Sequence, residues 1–231
     1  METIDQRRRR FVLAGGLAAA SALAAGIAPA KEAKKGKDED EVPPTEDLMR
    51  EHGVLRRILL VYGEAAHRLD GNQEVKLGWL TSAATIIREF IEDYHEKDEE
   101  EFVFPRLKKA GKLGDLVDVL VAQHQAGRRV TADILRLATP GTLKVEVSRK
   151  QLAETLRSFI RMYEPHAARE DTVLFPAFRA LLGERELDKL QDIFEDKEKA
   201  LPHGGFEKMV DEVARIEQSI GIYDLARFTP A

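Results

Sequence analysis

The stretch HEKDEEEFVFPRL, residues 95–107, returns 71 residues later as HAAREDTVLFPAF, residues 166–178. Each copy has a histidine, a glutamate four residues on (Glu99, Glu170) and a Phe-Pro pair whose proline lies ten residues after the histidine (Pro105, Pro176). The repetition extends upstream. HGVLRRIL from His52 and HQAGRRVT from His124 each place a lone histidine ahead of an Arg-Arg pair, and the lone histidine precedes its HxxxE partner by 43 residues in one copy and 42 in the other. The repeated unit is therefore a whole helical hairpin, used twice.

From Thr45 onward the apolar residues recur at helical spacing and no alternating strand is legible. Thr45 is expected to cap a first helix that runs to Leu69 and is stopped by Asp70-Gly71-Asn72. A second helix is expected from about Val75 to Ala110, a third from about Asp115 to Leu137, ended by Thr139-Pro140-Gly141, and a fourth from about Ser148 to Gly183. Pro165 should kink or restart the fourth helix just before His166. Two shorter helices, near Glu186–Ala200 and Phe206–Ile220, follow. The fold class is all-α: an antiparallel up-down-up-down four-helix bundle with additional C-terminal helices. In that arrangement His52 and His95 both lie roughly 25–30 Å from the turn joining their helices, and His124 and His166 pair in the same way, so all four share one layer.

The chemistry explains the spacing. Residues i and i+4 leave a helix on one face, so each HxxxE offers an imidazole and a carboxylate to a common point. Two facing hairpins collect His52, His95, His124 and His166 with Glu99 and Glu170, a set suited to two metal ions: iron, with manganese or zinc as alternatives. A single histidine on an apolar face is ordinarily a satisfied core residue; the case here rests on four of the six histidines fitting two matched repeats. The run Glu96 to Glu101 otherwise reads as a solvated acidic face, and Phe102, Phe104, Val173 and Phe175 as core and turn packing. His67 reads as a helix-end surface residue and His203 as part of a Pro/Gly loop.

The ends and the composition bound the function further. The chain has 231 residues, 43% hydrophobic and 33% charged, with no cysteine, which excludes disulfides, thiolate ligands and a cysteine nucleophile. Residues 1–30, with Arg7 to Arg10 before an Ala/Gly/Leu run and a closing Ala-Pro-Ala, resemble a twin-arginine export signal, with an uncleaved anchor as the alternative. Residues 31–44 form a charged linker, 45–182 the bundle and 183–231 a C-terminal helical extension. Removing residues 1–30 takes the net charge from −5 to −7, so no nucleic acid partner is expected, nor a membrane after cleavage. The expected location is periplasmic or extracellular.

The doubled HxxxE with its Phe-Pro pair, EHGVL at His52, QHQ at His124 and PHAAREDTVLFP at His166 resemble the hemerythrin-like (HHE cation-binding) family over about residues 45–182, and the tail resembles extensions on exported bacterial members. That resemblance implies a non-haem di-iron centre binding dioxygen or a related small molecule. Hemerythrin proper carries HxxxH on the third helix, whereas the residue four after His124 is Arg128, which leaves one metal short of a protein nitrogen. Glu96 is then a candidate for that position and Asp171 a rival to Glu170. The implied functions are binding or sensing of dioxygen, nitric oxide or peroxide. The alternatives are removal of peroxide or nitric oxide at the same centre, iron storage, and a bundle in which the ions only staple the helices.

Overall fold

The computed structural model describes residues 42–230, and no strand occurs among them. The export signal and most of the linker expected from the sequence lie outside these residues. Seven helices follow in order: α1 (Pro44–Asp70), α2 (77–109), α3 (Gly114–Leu137), the short α4 (Pro140–Lys144), α5 (146–179), α6 (Glu184–Lys199) and α7 (Phe206–Ile220). Among the described residues none of these is long and apolar enough to cross a membrane.

Local chemistry sets the ends, with some departures from the sequence expectation. α1 begins at Pro44 behind Pro43, so Thr45 is not its cap but lies buried inside the first turn; a proline at the first helical position gives up an N–H that has no partner there anyway. Gly71 closes the helix, its N–H donating to the His67 carbonyl. The segment after α3 does more than stop a helix: Thr139 Oγ1 accepts the Thr142 N–H at 3.2 Å and starts α4. Pro165 neither interrupts nor restarts α5, which stays α-helical from Glu146 to Arg169. Pro165 and Arg161 are both exposed, so the carbonyl that loses its partner faces water.

The other two prolines of the repeat do reshape their helices. α2 widens into π-helical winding at Ile87–His95 and Glu99–Val103, and α5 at Glu170–Leu174. The second and third of these segments begin at the repeated glutamate and end just before Phe104-Pro105 and Phe175-Pro176. A proline ring crowds the carbonyl four residues back, and a locally wider turn relieves that contact. The Phe-Pro pair is thus the part of the repeat that fixes the backbone around each glutamate.

α1 packs most extensively on α5, and α5 on α3. The apolar core falls into two clusters. One holds Ile58, Tyr62, Leu80, Phe90, Leu152 and Phe159; the other, at the opposite end, holds Leu48, Val103, Leu107, Val117, Leu120, Leu174 and Phe178. Between them lies a buried polar layer that includes all four repeat histidines. The C-terminal extension belongs to this core rather than standing apart. Leu190 and Phe194 of α6 join the second cluster, while Met209, Val213, Ile216 and Ile220 of α7 join the first. Arg57 fixes α7 through a two-pronged ion pair with Glu217 at 2.6 and 3.0 Å.

Gly127 of α3 lets Tyr163 of α5 approach: a Cβ there would lie 1.9 Å from the phenol oxygen. Alanine ordinarily favours a helix over glycine by about 0.5–1 kcal/mol. Gly127→Ala should nevertheless destabilise the protein, by about 1–3 kcal/mol, because the side chain it meets is buried ring rather than a flexible tip. Urea denaturation measures this, and a neutral or stabilising result would contradict the packing described.

Candidate metal centre

Four helices each bring one histidine to the polar layer: His52 from α1, His95 from α2, His124 from α3 and His166 from α5. All four are at most 3% exposed. The His52 and His95 rings lie 4.6 Å apart, centroid to centroid, and those of His124 and His166 5.1 Å apart. Glu99 and Glu170, both fully buried, stand between the pairs. Three groups of three donors result among the described residues: His52 with His95 and Glu99, His124 with His166 and Glu170, and Glu96 with Glu100 and His124; within each, the donor atoms lie within 4.8 Å of one another.

The carboxylates reach across the two halves. Glu170 Oε2 is 3.0 Å from His166 Nε2 and 3.4 Å from His52 Nε2. Glu99 Oε2 is 3.4 Å from His124 Nε2 and 3.8 Å from His95 Nε2. Each glutamate therefore faces one histidine from each hairpin, the placement a bridging ligand needs.

Every ring is turned by a bond at its other nitrogen. His52 Nδ1 meets Asp171 Oδ1 at 2.6 Å, and His95 Nδ1 meets Glu51 Oε2 at 2.7 Å. His124 Nδ1 meets Glu100 Oε1 at 3.1 Å, and His166 Nδ1 meets Gln123 Oε1 at 2.9 Å. An Nδ1 donating to oxygen leaves Nε2 as the lone-pair nitrogen, aimed inward, as in metal sites. The anchors obey the duplication. Glu51 and Gln123 directly precede the lone histidines, and Glu100 and Asp171 directly follow the repeated glutamates. The first arginine of each pair backs one anchor: Arg56 binds Asp171, and Arg128 binds Glu100 at 2.8 Å. The Arg-Arg pairs thus owe their repetition to an arginine–carboxylate–imidazole chain built twice.

The interior of the layer calls for positive charge. Neither oxygen of Glu99 or of Glu170, nor His124 Nε2, has a hydrogen-bond partner, although all are buried. His52 Nε2 and His95 Nε2 stand 3.1 Å apart with both Nδ1 atoms engaged, an arrangement that requires a proton or a cation between them. Burial and the neighbouring Glu170 push the Glu99 carboxyl well above its ordinary value. Burial also acts to raise Glu170, but His166 and His52 outweigh it and hold Glu170 low. His95 is held well below the usual histidine range by burial and by His52. His52 goes the other way: burial lowers it, but the neighbouring carboxylates of Asp171 and Glu170 raise it. Nitrogen and oxygen donors with unpaired buried carboxylates fit a pair of divalent or trivalent cations.

The two further ligand candidates, Asp171 and Glu96, lie at the outer side of the rings, Glu96 within the third donor group. Asp171 meets the outer nitrogen of His52. Glu96 is fully buried, accepts the Tyr163 hydroxyl at 2.6 Å and pairs with Arg128 at 2.8 Å. It comes only within 4.0 Å of His124 Nδ1, on the side away from the inward nitrogen. Burial pushes Glu96 up to about 8. Of the run read as a solvated face, Glu101 is exposed, whereas Glu96 is buried and Glu100 anchors His124. Glu92, which with His95 completes a Glu-x-x-His, is bound to Thr131 at 2.5 Å and Arg88 at 2.7 Å instead of joining the six donors. Phe104 and Phe175 wall the site, stacked 5.5 and 5.6 Å from His124 and His52. Val173 is 36% exposed. His67 is exposed at the end of α1, and His203, also exposed, pairs with Glu89 at 3.3 Å beside a cleft of about 300 Å³. Glu51, Gln123 and Glu100 were not singled out as site residues; their signal was adjacency to the repeat, which the ligand spacing alone does not weigh.

The model of the hemerythrin HHE cation-binding domain family matches residues 44–178 and again 115–221. The second match starts in α3, where the second hairpin begins. Two relatives, described only as uncharacterized proteins, come from Mycobacterium bovis and Mycobacterium tuberculosis. Each is 45% identical over 232 residues, which covers 97% of this chain and 91% of the relative. No solved structure gives a match.

The unpaired carboxylates carry a stability cost that substitution can reveal. Glu99→Gln keeps the shape, removes a carboxyl that burial forces toward protonation and supplies an N–H that can donate to Glu170. In the metal-free protein it should raise stability by about 1–3 kcal/mol. Chemical denaturation of the chelator-treated variant and parent measures this; a destabilised variant would mean that Glu99 is satisfied by protein groups alone.

Proposed function

The chain belongs to the hemerythrin HHE cation-binding domain family, and from that footing we propose that it holds two iron ions in the polar layer and binds or senses dioxygen, nitric oxide or peroxide there. One observation carries the reading: four imidazoles anchored at Nδ1 turn four Nε2 atoms toward two buried, unpartnered carboxylates. His52, His95 and Glu99 would hold one ion, and His124, His166 and Glu170 the other. An iron pair, when bound, supplies reversible one-electron chemistry and open coordination for a small ligand.

The chain's own part is positioning and exclusion of water. Asp171, Glu51, Glu100 and Gln123 fix the ring orientations, so little reorganisation accompanies ion binding. Phe104, Phe175 and the two apolar clusters keep the layer dry, which strengthens its electrostatics. Tyr163 donates to Glu96 and stands with its ring 5.3 Å from that of His166, a polar contact at the edge of the same layer. A second reading, removal of peroxide or nitric oxide by turnover, is favoured by Arg128. It stands four residues after His124, but its guanidinium is committed to Glu96 and Glu100, so it leaves coordination open. Export by the twin-arginine route belongs to the same proposal and rests on Arg7 to Arg10 and the apolar run behind them.

Anaerobic reconstitution of the mature protein should give about two irons per chain and a melting temperature that rises on loading, because ions that bind only the folded state stabilise it. Adding dioxygen to the ferrous protein should change its absorption, and steady-state consumption of peroxide separates turnover from simple binding. Glu99→Gln should take up less iron than the parent. Two ions with no response to dioxygen, nitric oxide or peroxide would leave only a stapling role, and under about half an ion per chain would remove the metal pair.

A further inference from the structure

We infer that the two metal positions are unequal, the one at His52 and His95 binding more tightly than the one at His124 and His166, and that Glu51 against Gln123 makes the difference. The inference rests on the proposed metal pair. Glu51 and Gln123 occupy equivalent places in the duplicated hairpin, each directly before the lone histidine, and each accepts from the Nδ1 of its own hairpin's HxxxE histidine. One is a carboxylate and the other an amide. A carboxylate acceptor strengthens the donor character of the imidazole behind it more than an amide does.

The other anchors do not even this out. His52 and His124 both lean on a carboxylate backed by arginine, Asp171 with Arg56 and Glu100 with Arg128. The bond lengths run the same way on both counts: 2.6 and 2.7 Å in the first half against 3.1 and 2.9 Å in the second. Charge-assisted bonds are the shorter kind. Glu96, the remaining buried carboxylate near the second half, bonds no ring. One oxygen accepts from Tyr163; the other, 2.8 Å from an Arg128 nitrogen, makes no hydrogen bond and stays 4.0 Å from His124 Nδ1. The first position therefore has two carboxylate-backed imidazoles and the second only one.

Anaerobic titration of the full-length, metal-free protein with Co²⁺, followed by its visible absorption and by calorimetry, tests this without any assay of activity. The wild type should fill in two steps whose affinities differ by about 10- to 100-fold, the range typical of an altered outer-shell partner. Glu51→Gln should weaken the first step alone, and Gln123→Glu should strengthen the second alone, so either substitution narrows the gap. His166→Ala should keep the tight step and His95→Ala should lose it. Mutual repulsion between two ions would also give two steps, but ones that neither Glu51→Gln nor Gln123→Glu moves; that result, or equal affinities in the wild type, overturns the inequality and leaves the pair standing. Failure of the wild type to bind two Co²⁺ overturns the pair and the inference with it.

Discussion

Two carboxylates face each other in a dry core with no hydrogen bond to either. Burial of an unpaired ionised carboxylate is among the most costly arrangements a fold can hold, and mutual repulsion adds to it. Only positive charge can offset that cost, whether protons or bound cations. The rest of the molecule is organised around this demand. The apolar core is split into clusters above and below the layer, so the remaining burial must stabilise a bundle whose middle opposes folding. α6 and α7 extend the two clusters and add to the burial on either side.

Duplication solves the orientation problem as well as the ligand count. Imidazole has two nitrogens, and a site that needs Nε2 must occupy Nδ1. Here the occupant always comes from a residue next to a ligand: one before the lone histidine, one after the glutamate. A single hairpin thus carries three candidate donors and two anchors. Its anchors serve different halves, since Glu51 holds its own hairpin's His95 while Glu100 holds His124 of the other. Neither hairpin can orient all its rings alone, so the two halves are interlocked through these bonds.

The sequence showed the helical architecture and the six inward donors because both depend on spacing along a helix, which is local. It showed less where tertiary neighbours decide. Glu100 looks like Glu101 in a charge run, and only the approach of α3 turns one into an anchor while the other stays in water. Pro165 and Pro105 look alike as helix breakers. One has water beside the freed carbonyl and changes little, whereas the other ends a π-wound segment beside a buried glutamate. Thr45 had the chemistry of a cap, but Pro43 and Pro44 set the start of the helix one step earlier.

The second arginine of each pair shows how far the copies have diverged. Arg57 faces outward from α1 and receives Glu217, so α7 lies along the first hairpin. Its counterpart Arg129 is exposed on α3. Equivalent positions inside the bundle diverge as well: Leu55 corresponds to Gly127, and Ala167 to Glu96. These exchanges give the second half Tyr163 against a bare backbone and a buried carboxylate to receive it. The donor layer keeps its twofold pattern, each carboxylate in it facing a histidine of either hairpin. The shell around it has no such constraint, and there one half became a docking face for α7 while the other became a polar network reaching Arg128.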